Sequence, residues 1–263
     1  MTAVPGQLDL YSYAMAISGD GRIVVGSVSP GVGTGIGVVW TDGSPTWLRG
    51  LLADDAYEGV DAWGMSTDGN YIVGSARAPH PDVTWTTRHA TLWRSPTEVV
   101  DLAPGTSSTS EAWAVSDDGE TAVGYMDVFD SSVGRERWNA MIWTPATGTV
   151  LLADFLASAG VAVPSGIRLA AATDVSGDGL TIAGNAYDGV ASEGLVGFVV
   201  RLPAPTCYAD FNADGGIDGS DIEPFFVAWE GGEPAADVNQ DGGVDMGDVQ
   251  AFFTQWESGA CGR

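Results

Sequence analysis

Two twelve-residue segments near the C-terminus carry the side chains best suited to chemistry. Asp210, Asn212, Asp214, Gly216, Asp218 and Asp221 recur 27 residues later as Asp237, Asn239, Asp241, Gly243, Asp245 and Asp248. Side-chain oxygens at positions 1, 3, 5, 9 and 12, a main-chain carbonyl at position 7 and Gly at position 6 for a sharp turn form a donor set for Ca²⁺, which takes six to eight hard oxygens. Mg²⁺ resists the dehydration such a cage demands, and neither loop holds a Cys or His for zinc. The spacing therefore predicts two Ca²⁺ ions, one per loop.

Elements must hold these loops, and the sequence supplies them. Ile222, Phe225, Phe226 and Trp229 fall at i, i+3, i+4 and i+7, and Val249, Phe252, Phe253 and Trp256 repeat the pattern, so a helix is expected after each loop. Pro224 sits in the first helical turn, where its missing N–H is harmless. Asp221 and Asp248 are placed to cap their helices as well as close the loops. The two aromatic stripes are expected to form a small shared core.

A loop–helix pair repeated in tandem, with no apolar helix before either loop and Asp at position 12, resembles a dockerin. Cys207 and the closing Glu257-Ser258-Gly259-Ala260-Cys261 resemble the planctomycete-type variant of that module. The resemblance covers residues 207–262. It implies two bound Ca²⁺ ions and docking on a cohesin-like or other cell-surface receptor. Loop positions 10 and 11, which often read the cohesin in that family, are Gly219-Ser220 and Met246-Gly247 and differ from each other. Cys207 and Cys261 are the only cysteines and bracket the tail. A disulfide between them, rather than two free thiols, would stabilise it by about 4 kcal/mol on a chain-entropy basis and would imply an oxidising, extracellular setting. No signal peptide is visible at the start of the chain.

Residues 1–202 read as an internal repeat, followed by a stiff linker at 203–206 and the calcium domain at 207–263. The phrases AMAISGDGRIVVGS (14–27), AWGMSTDGNYIVGS (62–75), AWAVSDDGETAVGY (112–125) and ATDVSGDGLTIAGN (172–185) share Ser, Asp-Gly and a closing Gly. The units run near 14–52, 62–102, 112–156 and 172–202. Alternation on both sides of Asp-Gly predicts a hairpin whose Asp and Gly take the positive φ angles of a tight turn. Further apolar strands follow, among them 149–156, so each unit is expected to be a four-stranded antiparallel meander. Stacked units of this length suit a β-propeller of about four blades. The fourth unit stops after three strands, and Gln7–Tyr11 could supply the missing one and close the ring. A larger propeller, or one completed by dimerisation, is the other outcome. The phrase resembles the bacterial extracellular HAF repeat, which implies a secreted, propeller-like protein. The expected fold class is thus mainly β, with a small α calcium-binding domain.

Charge narrows the function. The chain of 263 residues has net charge −25 and no Lys. Twelve acids against one Arg leave the 57-residue tail at −11. Nucleic acid is excluded as a partner, because neutralising phosphates needs basic patches, and no apolar run is long enough to span a membrane. His80 and His89 lack any catalytic or metal-binding context and are expected at the surface. The repeated Asp20, Asp68, Asp118 and Asp178 sit at turns. The inserts 77–88, 126–138 and 156–170 are better placed for function, with Trp85 and Trp138 able to stack on sugars. The expected function is a non-catalytic secreted or cell-surface repeat protein anchored through its calcium module. The alternative is a polysaccharide-degrading glycoside hydrolase or a carbohydrate-binding component, with polysaccharide as ligand.

Overall fold

A computed structural model describes residues 11–29, 35–53, 57, 59–82, 84, 86–132, 134–189, 194–203, 207–212, 214, 216–239 and 241–258. The chain divides into two compact units, Met1–Leu202 and Pro203–Arg263. It is mainly β.

The first unit is a propeller-like array of antiparallel meanders. Sheet 1 orders β1 (Tyr11–Ile17), β2 (Ile23–Ser29), β3 (Ile36–Thr41) and β4 (Ser44–Trp47). Sheet 2 orders β5 (Val60–Met65), β6 (Ile72–Pro79), β7 (Thr86–Ser95) and β8 (Glu98–Asp101). Sheet 3 orders β9 (Ser110–Val115), β10 (Ala122–Asp130), β11 (Arg135–Thr144) and β12 (Gly148–Leu151). Sheet 4 has three strands, β13 (Ile167–Val175), β14 (Thr181–Asp188) and β15 (Gly194–Arg201). Residues 7–10 of the expected closing strand lie outside the described residues, and Tyr11 pairs with Ser29 inside sheet 1.

Neither face of a meander is polar enough to stand alone, and consecutive sheets bury one another. Val25, Val39 and Leu48 pack on Val60, Ala62 and Trp93. Val73 and Leu92 pack on Ala112, Val115 and Met141. Val123 and Ile142 pack on Leu169, Ala172 and Val175. The run 149–156 departs from the expected strand. After Leu151 it turns into α1 (Leu152–Ser158), because Leu152, Phe155 and Leu156 also match helical spacing and place buried Leu152 and Leu156 on one face.

Each repeat phrase folds the same way. Ser18 Oγ donates to Asp20 Oδ1 at 2.7 Å, while the main-chain N–H groups of Arg22 and Ile23 donate to Asp20 and Ser18. Ser66–Asp68, Ser116–Asp118 and Ser176–Asp178 repeat the arrangement. The Asp does not take positive φ, as the simple tight turn would require. Only Gly21, Gly69, Gly119 and Gly179 do, so each loop is a wider turn closed by a left-handed Gly, and the Asp acts through its carboxylate. Hydrogen bonds to Arg22 N–H and to the Ser66 hydroxyl, respectively the largest causes, hold Asp20 and Asp68 below the usual range. The two-residue turn does occur, at Asp42-Gly43, where φ is 49° and 82°.

The closing Gly has a separate cause. Pairing skips a residue at the same place in each first strand, between Ala14 and Ala16, Ala62 and Gly64, Ala112 and Ala114, and Ala172 and Asp174, and β13 skips a second between Leu169 and Ala171. Met15, Trp63, Trp113 and Thr173 are thus bulged out of the ladder. Opposite each bulge the strands come so close that a Cβ on Gly26, Gly74 or Gly124 would lie 1.8–1.9 Å from the carbonyl oxygen of Tyr13, Asp61 or Glu111. A line of hydrogen bonds also joins the four loops: Gly19 N–H to Thr67 O, Thr67 N–H to Asp117 Oδ1, and Asp117 N–H to Gly177 O.

The second unit contains α2 (Ile222–Gly231), a 3-10 turn (Pro234–Ala236) and α3 (Met246–Ser258). Its core is Phe225, Ala228, Ala236, Val238 and Phe252. The rings of Phe225 and Phe252 stack at 4.1 Å and 4°, and no helix among the described residues is long and apolar enough to cross a membrane.

Candidate functional site

The two acidic loops fold as near copies. In the first, Asp221 is fully buried at the start of α2, and its side chain makes no capping bond to the helix. It turns back across the loop instead, accepting from Asn212 N–H at 3.1 Å and Asp218 N–H at 2.9 Å. Asp248, also fully buried, accepts from Asn239 N–H at 3.1 Å and Asp245 N–H at 2.7 Å. It lies within the first turn of α3 rather than at its cap. The expected capping role fails for both because the loop's own donors compete for the carboxylate. Burial pushes Asp248 up, and the N–H groups of Asp245, Asn239 and Val238 outweigh it, so the group stays below the ordinary carboxylate range. The main-chain N–H and hydroxyl of Ser220 likewise hold Asp218 down.

Positions 3 and 5 are ordered in the same way. Asn212 Oδ1 accepts from Asp214 N–H at 2.9 Å, and Asn239 Oδ1 from Asp241 N–H at 3.0 Å. Asp214 and Asp241 accept from Gly216 and Gly243. At position 1, Asp210 accepts from Asp214 N–H and Asp237 from Gly242 N–H. Asp237 Oδ1 is buried with no hydrogen-bond partner. Such an oxygen is costly unless a donor or cation meets it. Among the described residues no three His, Cys, Asp or Glu side chains converge into a metal cluster by themselves, so a bound ion would also draw on the Asn and main-chain oxygens. Ala213, Gly215 and Gln240 lie outside the described residues.

The loops are cross-braced. Trp229 of α2 donates from Nε1 to the Asp245 carbonyl in the second loop at 2.7 Å. Trp256 of α3 donates to the Asp218 carbonyl in the first loop at 3.0 Å. Cys207 lies among the described residues and Cys261 outside them.

The repeat unit offers a second site. A cavity of about 750 Å³ is lined by Asp127, Arg135, Glu136, Arg137, Trp138, Arg168 and Tyr187. Trp138 is 50% exposed and stacks on Tyr125 at 4.3 Å. Arg168 donates to the Trp138 carbonyl at 2.6 Å and lies 4.6 Å from the Tyr187 ring centroid. Burial, then the charges of Arg137 and Arg135, lower the Arg168 pKa. Burial and Glu136 raise Asp127. The cleft draws Arg135, Arg137 and Trp138 from insert 126–138 and Arg168 from insert 156–170. Arg168 and Tyr187 carried no local motif, and the clustering of Arg in an Arg-poor chain was the available signal. Trp85 lies outside the described residues.

His89 corrects the expectation of a surface residue. It is 1% exposed, with Nδ1 3.0 Å from both Asp101 carboxylate oxygens and Nε2 3.1 Å from the Thr106 carbonyl. The inward side of β7 places it there, and the chain after β8 folds over it. His80 is partly exposed, and its Nδ1 accepts from Asp82 N–H.

No protein-family model matches the chain, and no curated protein matches it. Among solved structures it is similar to a protein assigned as TolB from Agrobacterium tumefaciens, at 16% identity and TM-score 0.44, over 74% of this chain and 62% of that one. A chain from a study of two prolyl endopeptidases matches at 14% identity and TM-score 0.36, over 74% of this chain and 34% of that one. The chain thus spans less than two thirds of the length of either.

Proposed function

We propose that this is a non-catalytic, secreted or cell-surface protein whose repeat unit is displayed through a calcium-loaded, dockerin-type module. The module docks on a cohesin-like or other surface receptor. The observation that carries the reading is the pair of matched loops, each closed by a fully buried aspartate (Asp221, Asp248) that faces only N–H donors. The tail is at −11 and its single basic residue is Arg263, so the module itself holds almost no positive charge to compensate its two loops. Asp210, Asn212, Asp214, Asp218 and Asp221, with the Gly216 carbonyl, would hold one Ca²⁺. Asp237, Asn239, Asp241, Asp245 and Asp248, with the Gly243 carbonyl, would hold the other. Bound Ca²⁺ would supply positive charge and rigidity, and the protein would present the two helices as a fixed docking face. A Cys207–Cys261 bridge would pin the ends of the module and suits an extracellular setting.

Calorimetric titration of EDTA-treated protein tests the metal, with two sites expected and both lost in Asp210→Ala/Asp237→Ala. Capture of host cell-surface proteins with and without Ca²⁺ tests the docking. Absence of Ca²⁺ binding, or capture indifferent to the double substitution, would reject the reading.

A second reading concerns the cleft. The half-exposed Trp138 beside Arg135, Arg137 and Arg168 fits a polysaccharide bearing carboxylate or sulfate groups, the indole stacking on a sugar face and the guanidiniums pairing with its charges. Retention on acidic but not neutral polysaccharide, lost in Trp138→Ala, would support it. Hydrolysis of that polysaccharide would shift the reading to the hydrolase alternative.

A further inference from the structure

The four repeats show what each sheet-to-sheet contact consists of, and the two ends of the array show the same contact left half made. At the leading side, Ala62, Ala112 and Ala172 are fully buried against the preceding sheet, and Val115 and Val175 are 5% and 8% exposed. Their equivalents in β1 are open: Ala14 is exposed and Ile17 is 62% exposed, with Tyr13 and Met15 beside them at 57% and 45%. At the trailing side, Val39, Leu92 and Ile142 pair with Val25, Val73 and Val123 and are buried. Their equivalent in β15, Val199, is 73% exposed, near Leu195 at 61%.

Among the described residues no strand of sheet 1 makes an extensive contact with a strand of sheet 4, whereas β5 meets sheet 1, β9 meets sheet 2 and β13 meets sheet 3. The loop-to-loop line is open in the same sense. It ends at the Gly19 carbonyl on one side and the Gly177 N–H on the other, neither with such a partner among the described residues. β1 (YSYAMAI) and β15 (GLVGFVVR) also contain no acid in a chain with 35.

We infer that the occupant of these faces is a second copy of this chain. The trailing face of sheet 4 is built to receive a leading face, and the leading face of sheet 1 is the free one. Two copies joined head to tail, β15 of each on β1 of the other, satisfy both contacts twice and close a ring of eight sheets. Each joint repeats the packing already made three times within the chain, with Gly177 N–H continuing the line to Gly19 of the second copy.

Light scattering of the whole protein, in EDTA and in Ca²⁺, reads the mass. The expectation is twice the 27.1 kDa chain mass in both conditions, which separates this contact from calcium-dependent docking. Ile17→Glu and Val199→Glu should each fall to the mass of one chain with the far-ultraviolet spectrum unchanged. Ile17→Ser and Val199→Thr serve if either Glu variant unfolds. A one-to-one mixture of the two Glu variants should regain a two-chain species, because one intact trailing face then meets one intact leading face. Wild type at the mass of one chain, masses that grow without limit, or a Val199→Glu protein that still pairs would each overturn the inference.

Discussion

The indole of Trp229, at the end of the first loop–helix unit, donates to the main-chain carbonyl of Asp245 in the second loop. Its counterpart Trp256 returns the contact to Asp218 in the first. Each helix therefore steadies the loop that belongs to the other. Trp256→Phe should weaken Ca²⁺ binding at the first loop by about 2- to 10-fold, the worth of one hydrogen bond, and Trp229→Phe should do so at the second. Calorimetry on each variant combined with Asp210→Ala or Asp237→Ala assigns the loss to a loop.

Calcium removal should act on one unit only. With the disulfide reduced and Ca²⁺ chelated, α2 and α3 should lose helical signal while the β signal of the repeat unit stays, because metal binding energy is folding energy for so acidic a module. Circular dichroism with and without EDTA checks this. Asp248→Ala removes the carboxylate that accepts from the Asn239 and Asp245 N–H groups and should cost about 1–3 kcal/mol in all.

Gly74→Ala should destabilise the repeat unit by about 3 kcal/mol, since its Cβ would lie 1.9 Å from the Asp61 carbonyl oxygen. Gly197→Ala, where the nearest atom is 3.9 Å away, should change little. Thermal melting of the two variants makes the comparison.

Glu111 gives a pH signature. Burial raises its pKa, against the Trp113 indole and Arg88, which lower it. A raised carboxyl favours the protonated fold, so its contribution is complete below the ordinary glutamate range and is lost as pH rises through the elevated value. The melting temperature of wild type minus that of Glu111→Gln should therefore fall across that window and be flat above it.

Most of the repeat unit was legible because its signals are local. Ser, Asp-Gly and the apolar alternation announce each hairpin within fourteen residues. What escaped depends on partners distant in sequence. The closing Gly looked like a marker, and its cause is the carbonyl of a bulged neighbouring strand. His89 looked superficial because Asp101 and Thr106 enclose it from beyond the next turn. Leu152 and Leu156 fit both strand and helix periods, Phe155 joins them only in a helix, and packing chose the helix. The two matched acidic loops could be located from spacing alone, whereas the cleft joins Arg137 to Arg168 and Tyr187 only once sheets 3 and 4 pack.

The bulges carry one more implication. Trp63, Trp113 and Thr173 sit outside the ladder and border a depression of about 270 Å³, supported by a turn and a Gly that do not depend on their identity. The bulge leaves their side chains outside the ladder's pairing, although Trp113 also donates to Glu111 and packs on Tyr125. Substitutions at Thr173, which among the described residues carries no such tie to a ring or carboxylate, are the ones expected to alter the lining of that depression at least cost to the sheets beneath it.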